Sequence, residues 1–313
     1  MPPTLPRTDS ACPTRLRALE HPRLRLVKVI GLVAVVQGCA PSPTPASTPP
    51  PPATAQAEQP ADSVFLEDLT WTELRAAIGG GKTTILIPVG AVEQSGPYVA
   101  LGKHDARVKV LAEKIARNLG DVIVAPVIAY VPEGTIDPPT GHMRFPGTIT
   151  VPPEVFRQTL ESAATSFKLH GFTDVVFIGD HGGYQDDLKT VADDLNRRWA
   201  GSPARAHFIA QYYRATQTTY VAVLKRRGFS DAEIGSHAGL ADTSLSLATN
   251  PSMVRADQLG KGAPPGPSMG VHGDPSRASA SLGQLGVDEI VAETTAAIRD
   301  AVRRHGNTSS PGN

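Results

Sequence analysis

Thr84-Ile85-Leu86-Ile87-Pro88-Val89 runs straight into Gly90-Ala91-Val92-Glu93-Gln94. An apolar run without polar alternation reads as a strand buried on both faces, as in a parallel sheet. The glycine and carboxylate behind it read as a loop at the strand's carboxyl end. The pattern recurs in Val122-Ile123-Val124-Ala125-Pro126-Val127-Ile128, and in Asp174-Val175-Val176-Phe177-Ile178 followed by Gly179-Asp180-His181-Gly182-Gly183. Helical patterns separate these runs: Ala106 to Leu119, stopped by Gly120; Pro153 to His170, stopped by Gly171; and Gln185 to Trp199. Upstream, Trp71 to Ile78 has helical spacing after Thr70, a plausible N-cap. Downstream, Ala206 to Tyr213 reads as a strand, Ser244 to Ala248 as a candidate strand, Asn250 to Ser281 as a Gly- and Pro-rich loop, and Val287 to His305 as a closing helix. Strands alternating with helices, with runs apolar on both faces, predict an α/β layered sandwich around a mainly parallel sheet.

The folded domain is expected over residues 63–305, about 240 residues, a size that one core can serve. Ahead of it, Arg15, Arg17, Arg23, Arg25 and Lys28 precede the short apolar run Val29 to Val36 and then Gln37-Gly38-Cys39-Ala40. A basic segment, a short apolar core and small residues before a cut form a secretory pattern, here over residues 1–39. The run is too short to span a bilayer. Its Val-Gln-Gly-Cys end resembles a bacterial lipobox, which would make Cys39 a lipid anchor and the protein periplasmic. Residues 40–62, with their proline runs, favour extended polyproline II and read as a disordered tether. Residues 306–313 read as a disordered tail.

Lys plus Arg and Asp plus Glu are 30 each, so the formal net charge is zero, which gives nucleic-acid binding no electrostatic support. The 2 cysteines, Cys12 and Cys39, precede the domain, which excludes a disulfide framework or a thiolate site within it. Metal chemistry must then use histidine and carboxylate. The loops behind the strands supply both: Glu93-Gln94-Ser95, then Lys103-His104-Asp105, then Asp180-His181-Gly182-Gly183, then His237 with Asp242. Open α/β sheets place their sites at strand carboxyl ends, and such ligands suit a hard or borderline divalent metal. Each cluster alone is a weak signal, since a His-Gly-Gly turn or a Glu-Gln loop is common without function.

In this order the stretches resemble the creatininase (creatinine amidohydrolase) family, over about Val64 to Arg304. The matching segments are Pro88 to Gln94 with Gly96-Pro97 and Leu101-Gly102, His142 to Ile149, His170-Gly171-Phe172, His181 to Gly183, His237 to Gly239 with Asp242-Thr243-Ser244, and Gly273-Asp274-Pro275. The resemblance implies a three-layer sandwich with metal at the strand ends, hydrolysis of a cyclic or linear amide C–N bond, and homo-oligomers, commonly hexamers.

Several positions depart from the family. The histidine that follows Glu-Gln and binds the second metal is Ser95 here. The bridging aspartate becomes His104, with Asp105 next to it. His-Gly-Gly-Asn becomes His181-Gly182-Gly183-Tyr184, and the glutamate before Thr-Ser becomes Asp242. A neutral imidazole has one free lone pair and does not bridge two cations. Glu93, His104 and His181, with Asp105 or Asp242 beside them, are thus expected to hold one divalent ion, Zn²⁺ above Mn²⁺ or Fe²⁺. The resemblance makes His237 the proton-handling residue, with Asp242 beside it. His142, Gly182, Gly183, Ser95 and Tyr184 would line the substrate pocket. His170 and His207 read as structural, and His272 is left open. The competing reading is a tethered, non-catalytic small-molecule binder on the same fold. A third is hydrolysis of another bond, such as a lactone or formamide, by the same chemistry.

Overall fold

In the computed structural model residues 62–309 are described, with side chains through residue 306. The leader, the lipobox-like Cys39 and nearly all of the proline-rich segment lie outside them. Helix α1 (Trp71–Gly79) opens on a capping box between Thr70 and Glu73. Strand β1 (Thr84–Val89) is linked through α2 (Lys103–Leu119) to β2 (Val122–Val124), and α3 (Pro153–Leu169) leads to β3 (Asp174–Gly179). Helix α4 (Gln185–Arg198) then leads to β4 (Arg205–Phe208). The sheet order is β2-β1-β3-β4 and every pairing is parallel.

Strand residues alternate between two cores, which makes the sandwich three-layered. Leu86, Val124, Val176 and Ile178 face Val108, Leu111 and Ile115 of α2. The same core takes residues of α5 (Gln211–Gln217), α6 (Thr219–Arg226), α7 (Asp231–Ile234), α8 (Leu240–Thr249) and the long α9 (Ala280–Ser309). Ile85, Ile87, Val175 and Phe177 face the other way, onto Phe156 and Leu160 of α3 and Leu188, Val191 and Leu195 of α4. Each fully buried side chain of this kind contributes roughly 1.5–3 kcal/mol. Among the described residues no helix is long and apolar enough to cross a membrane.

Four local readings change. The strand expected to reach Tyr213 ends at Phe208, and Tyr212 and Tyr213 belong to α5. Ser244–Ala248 is the interior of α8, whose Leu240, Ala241 and Thr243 to Leu247 are buried nearly all round, so no helical stripe marks it. Strand β2 stops at Val124, because Pro126 has no N–H for the ladder; Val89 and Ile128 still make an isolated parallel bridge. Helix α9 begins ahead of Val287 and continues past His305. The chain leaves β1 toward β2 on one side, while β3 and β4 lie on the other. The order therefore switches between β1 and β3, where ligands bind in open α/β sheets.

Candidate metal centre

Glu93 enters this crevice behind β1, and Asp180 and His181 enter it behind β3. Two features hold the strand ends. A Cβ on Gly90 would fall 2.0 Å from Asp105 Oδ1, so only glycine lets α2 approach this closely, and Asp105 Oδ1 accepts from the Ala91 N–H at 3.0 Å. Tyr184 is fully buried; its hydroxyl lies 2.8 Å from both the Val89 and Gly90 carbonyls and accepts from the Asp180 and His181 N–H groups at 3.1 Å. Tyr184, expected at the substrate, thus spends its hydroxyl on backbone and ties β1 to β3. Asp105, expected near the metal, spends an oxygen on the β1 loop.

The first turns of α2 deliver Lys103, His104 and Arg107, all buried. His104 donor atoms lie between two carboxylates: Nε2 is 2.6 Å from Glu93 Oε1 and Nδ1 is 2.6 Å from Asp180 Oδ2. Burial and Lys103 oppose a charge on this ring, yet the two carboxylates prevail and raise its pKa. Arg107 Nε is 2.8 Å from Asp180 Oδ2 and its Nη1 is 2.6 Å from Asp242 Oδ1, while Lys103 pairs with Asp242 and lies 3.5 Å from Glu93 Oε1. Tyr212, from α5, donates to Asp180 at 2.7 Å. Burial works against the charge on Asp242, but Lys103 and Arg107 hold its pKa well below the usual carboxylate range. His104, expected to ligate, has both ring nitrogens committed to carboxylates. Asp242, expected beside the proton-handling step, is committed to two cations and to the Ala238 N–H at 2.9 Å.

The residues that do converge as donors are Glu93, Glu133, His142 and His181, whose ligand atoms all lie within 4.8 Å of one another. His142 Nε2 and His181 Nε2 each lie 3.3 Å from Glu93 Oε2, and His181 Nδ1 lies 3.3 Å from Glu133 Oε1. Three buried oxygens here, Glu93 Oε2 and both oxygens of Glu133, have no hydrogen-bond partner. A buried carboxylate left unpaired is costly, and a divalent cation would satisfy all three at once. Two carboxylates and two imidazoles also form a donor set suited to Zn²⁺, Mn²⁺ or Fe²⁺. Burial, then the neighbouring Glu93 charge, pushes the Glu133 pKa up to about 9. Burial and the surrounding cations lower that of His142, which keeps the ring neutral as a ligand must be. Glu133 escaped the sequence reading. It stands in the loop behind β2, and the strand-end rule applied to that loop would have found it.

A cavity of about 310 Å³ opens on this cluster, lined by His142, His181, Gly182, Tyr213, His237 and Asp242 among others. Gly182 is required there, since a Cβ would meet the Tyr213 hydroxyl at 2.6 Å. Ser95 is buried with its hydroxyl unpartnered, and neither Ser95 nor Gly183 lines the cavity. His237 Nε2 lies 2.9 Å from the Gln94 carbonyl oxygen and 3.2 Å from Gln94 Nε2, and its Nδ1 lies 3.6 Å from Glu93 Oε1. Burial and the Lys103 charge push its pKa down to about 3. The next residue, Ala238, holds a left-handed φ of 51°, strain of the kind that gathers at functional sites. His272 pairs with His237 through backbone and lines the same cavity.

A family model described as Creatininase, creatinine amidohydrolase, matches residues 67–298. The creatinine amidohydrolase of Pseudomonas putida is 26% identical over 202 residues, covering 63% of this chain and 76% of that protein. The mycofactocin precursor peptide peptidase of Mycolicibacterium smegmatis is 25% identical over 241 residues, 70% of this chain and 84% of that one. A solved creatinine amidohydrolase superposes with a TM-score of 0.64 at 24% identity, covering 80% of this chain and all (100%) of that one. A creatininase variant of Zn–Zn type superposes with a TM-score of 0.64 at 25% identity, covering 77% and 99%.

Proposed function

The chain belongs to the creatininase family, and from that premise we propose that it is a metal-dependent amidohydrolase cleaving a C–N bond in a small, cyclic or linear amide. One observation carries the reading: three buried carboxylate oxygens without a hydrogen bond converge with two imidazoles, and those imidazoles line a small cavity. Glu93, Glu133, His142 and His181 would hold one divalent ion, zinc or manganese. When bound, such a cation supplies Lewis acidity, drawing electrons from an amide carbonyl and acidifying water. The chain's own groups do the rest. The Tyr213 hydroxyl, admitted by Gly182, is placed to donate to a developing oxyanion. His237, uncharged and on the cavity wall, would accept a proton from water and return it to the leaving nitrogen. Its low basicity is set partly by Lys103, and negative charge developing on the amide offsets that influence as the reaction proceeds. A cavity of about 310 Å³ admits a small molecule. The basic leader and the lipobox-like Cys39 support an exported, lipid-anchored, periplasmic enzyme.

The test is turnover. Protein loaded with Zn²⁺ or Mn²⁺ is assayed against a panel of cyclic and linear amides, with His181→Ala alongside. Metal-dependent release of amine, lost on chelation and in His181→Ala, is the expected result. Tight ligand binding without turnover would instead favour a non-catalytic binding protein, and an unaltered rate in His181→Ala would sink the site assignment.

A further inference from the structure

At the opposite end of the sheet lies a second cluster that the proposed reaction does not use. Asp174 is the first residue of β3, about 17 Å of strand from the site end at Gly179. Its Oδ1 is 2.7 Å from His207 Nε2, on β4, and 2.9 Å from His305 Nδ1, near the end of α9. The ligand atoms of all three lie within 4.8 Å of one another, and the two imidazoles are 6.0 Å apart at 58°. Their side chains are 7%, 13% and 8% exposed. The Thr173 hydroxyl, at 3.1 Å, orients the other carboxylate oxygen, Oδ2. Two imidazoles and a carboxylate from three separate elements, converging on one point, are what a borderline cation requires. Beside them a cavity of about 330 Å³, lined by His207, Asp300 and Arg304, leaves room for a further donor such as water.

We propose that Asp174, His207 and His305 form a structural divalent-metal site, of the zinc class, that clasps the end of α9 to the amino edge of the sheet. Ligand atoms around a tetrahedral zinc lie about 3.3 Å apart. The observed 2.7 and 2.9 Å contacts therefore need only a small outward movement, which the helix end can supply. Neutral imidazoles present lone pairs at these nitrogens once their protons move to the other ring nitrogen or leave. The site is independent of the catalytic reading and can fail or hold without it.

The experiment uses the full chain with Glu93→Gln and His181→Ala, which disables the first cluster, and Zn²⁺ as the probe. Equilibrium dialysis with elemental analysis should find one Zn²⁺ per chain in this background. Adding His305→Ala, or separately His207→Gln, should remove it. Zn²⁺ should slow amide hydrogen exchange in the last turns of α9 by tenfold or more in the parent background and in neither variant. The inference is overturned if the background binds no Zn²⁺, or if both added variants bind as much as it does. His207→Gln keeps the test decisive should His305→Ala loosen the helix end, because it leaves α9 intact.

Discussion

Glu133→Gln replaces a buried carboxyl by its neutral isostere, and the structure sets what this should do. The Glu133 pKa is raised from 4.5 to about 9. A carboxyl with a raised folded-state pKa contributes full stability below its unfolded pKa and loses it progressively as pH rises toward the folded value. At pH 7 the metal-free fold must keep Glu133 protonated about 2.5 pH units above its ordinary pKa. At ~1.4 kcal/mol per unit this costs up to roughly 3 kcal/mol. Glutamine carries no such penalty and fills the same space. Urea unfolding in the presence of a chelator should give near-equal stabilities for the two proteins at pH 5. The wild type should then fall behind the variant as pH rises, by roughly 3 kcal/mol at pH 7, and the gap should keep widening until about pH 9. With Zn²⁺ the order should invert, because only the wild type can give up that proton to a cation. Two parallel stability–pH curves, or a variant that is less stable at pH 8 without metal, would refute the claim that Glu133 is a desolvated carboxyl awaiting a cation.

Tyr184→Phe removes a hydroxyl that contacts four backbone groups at the ends of β1 and β3; a loss of ~1–3 kcal/mol in urea unfolding is expected. Asp242→Asn takes from Lys103 and from Arg107 one of the two carboxylates each of them pairs with and should cost up to ~3–5 kcal/mol, the scale of a broken buried ion pair, while Zn²⁺ stoichiometry at the first cluster is unchanged. Gly182→Ala pushes a methyl at the Tyr213 hydroxyl; kcat/KM on any amide turned over should fall at least tenfold, and Gly182→Ala with Tyr213→Phe should not recover it if the phenol is the oxyanion donor.

The sandwich was legible because β1 and β3 are buried on both faces and each runs into a glycine, Gly90 after β1 and Gly179 at the end of β3, and these two strands frame the crevice. The parts that were not legible have specific causes. Ser244–Ala248 lies in a helix buried nearly all round, where periodicity carries no sign of the period. Tyr212 and Tyr213 continue an apolar run that leaves the sheet at Phe208 because the backbone turns into α5. For the site, Glu93 and His181 were expected as ligands and His142 as a pocket-lining residue, and the structure brings all three into one cluster. His104 could not be placed, since its role depends on Asp180 and Glu93 arriving from two other loops to occupy both its nitrogens. Tyr184 reads from sequence as a pocket-lining residue behind His181, and only the β1 carbonyls it meets reveal a brace.

The charges at the crevice also bear on how many cations it takes. Cations at a helix N-terminus oppose the helix dipole, yet α2 begins with Lys103, His104 and Arg107, all buried. Such a breach of a local rule points to function or to compensation elsewhere. Here the compensation is in view: Glu93, Asp180 and Asp242 pair with those three cations. Glu93 and Asp242 face Lys103, Asp180 and Asp242 face Arg107, and the carboxylates at both nitrogens of His104 favour its charged form, so this side of the crevice leaves little charge for a metal ion to neutralise. Glu133 is the carboxyl left over, held neutral only by a proton. One divalent ion could displace that proton and satisfy the orphaned oxygens of Glu133 and Glu93. A second would have to settle among Lys103, His104 and Arg107, where the field is repulsive. The proposed single ion therefore follows less from ligands that are missing than from the protein cations already standing beside Glu93.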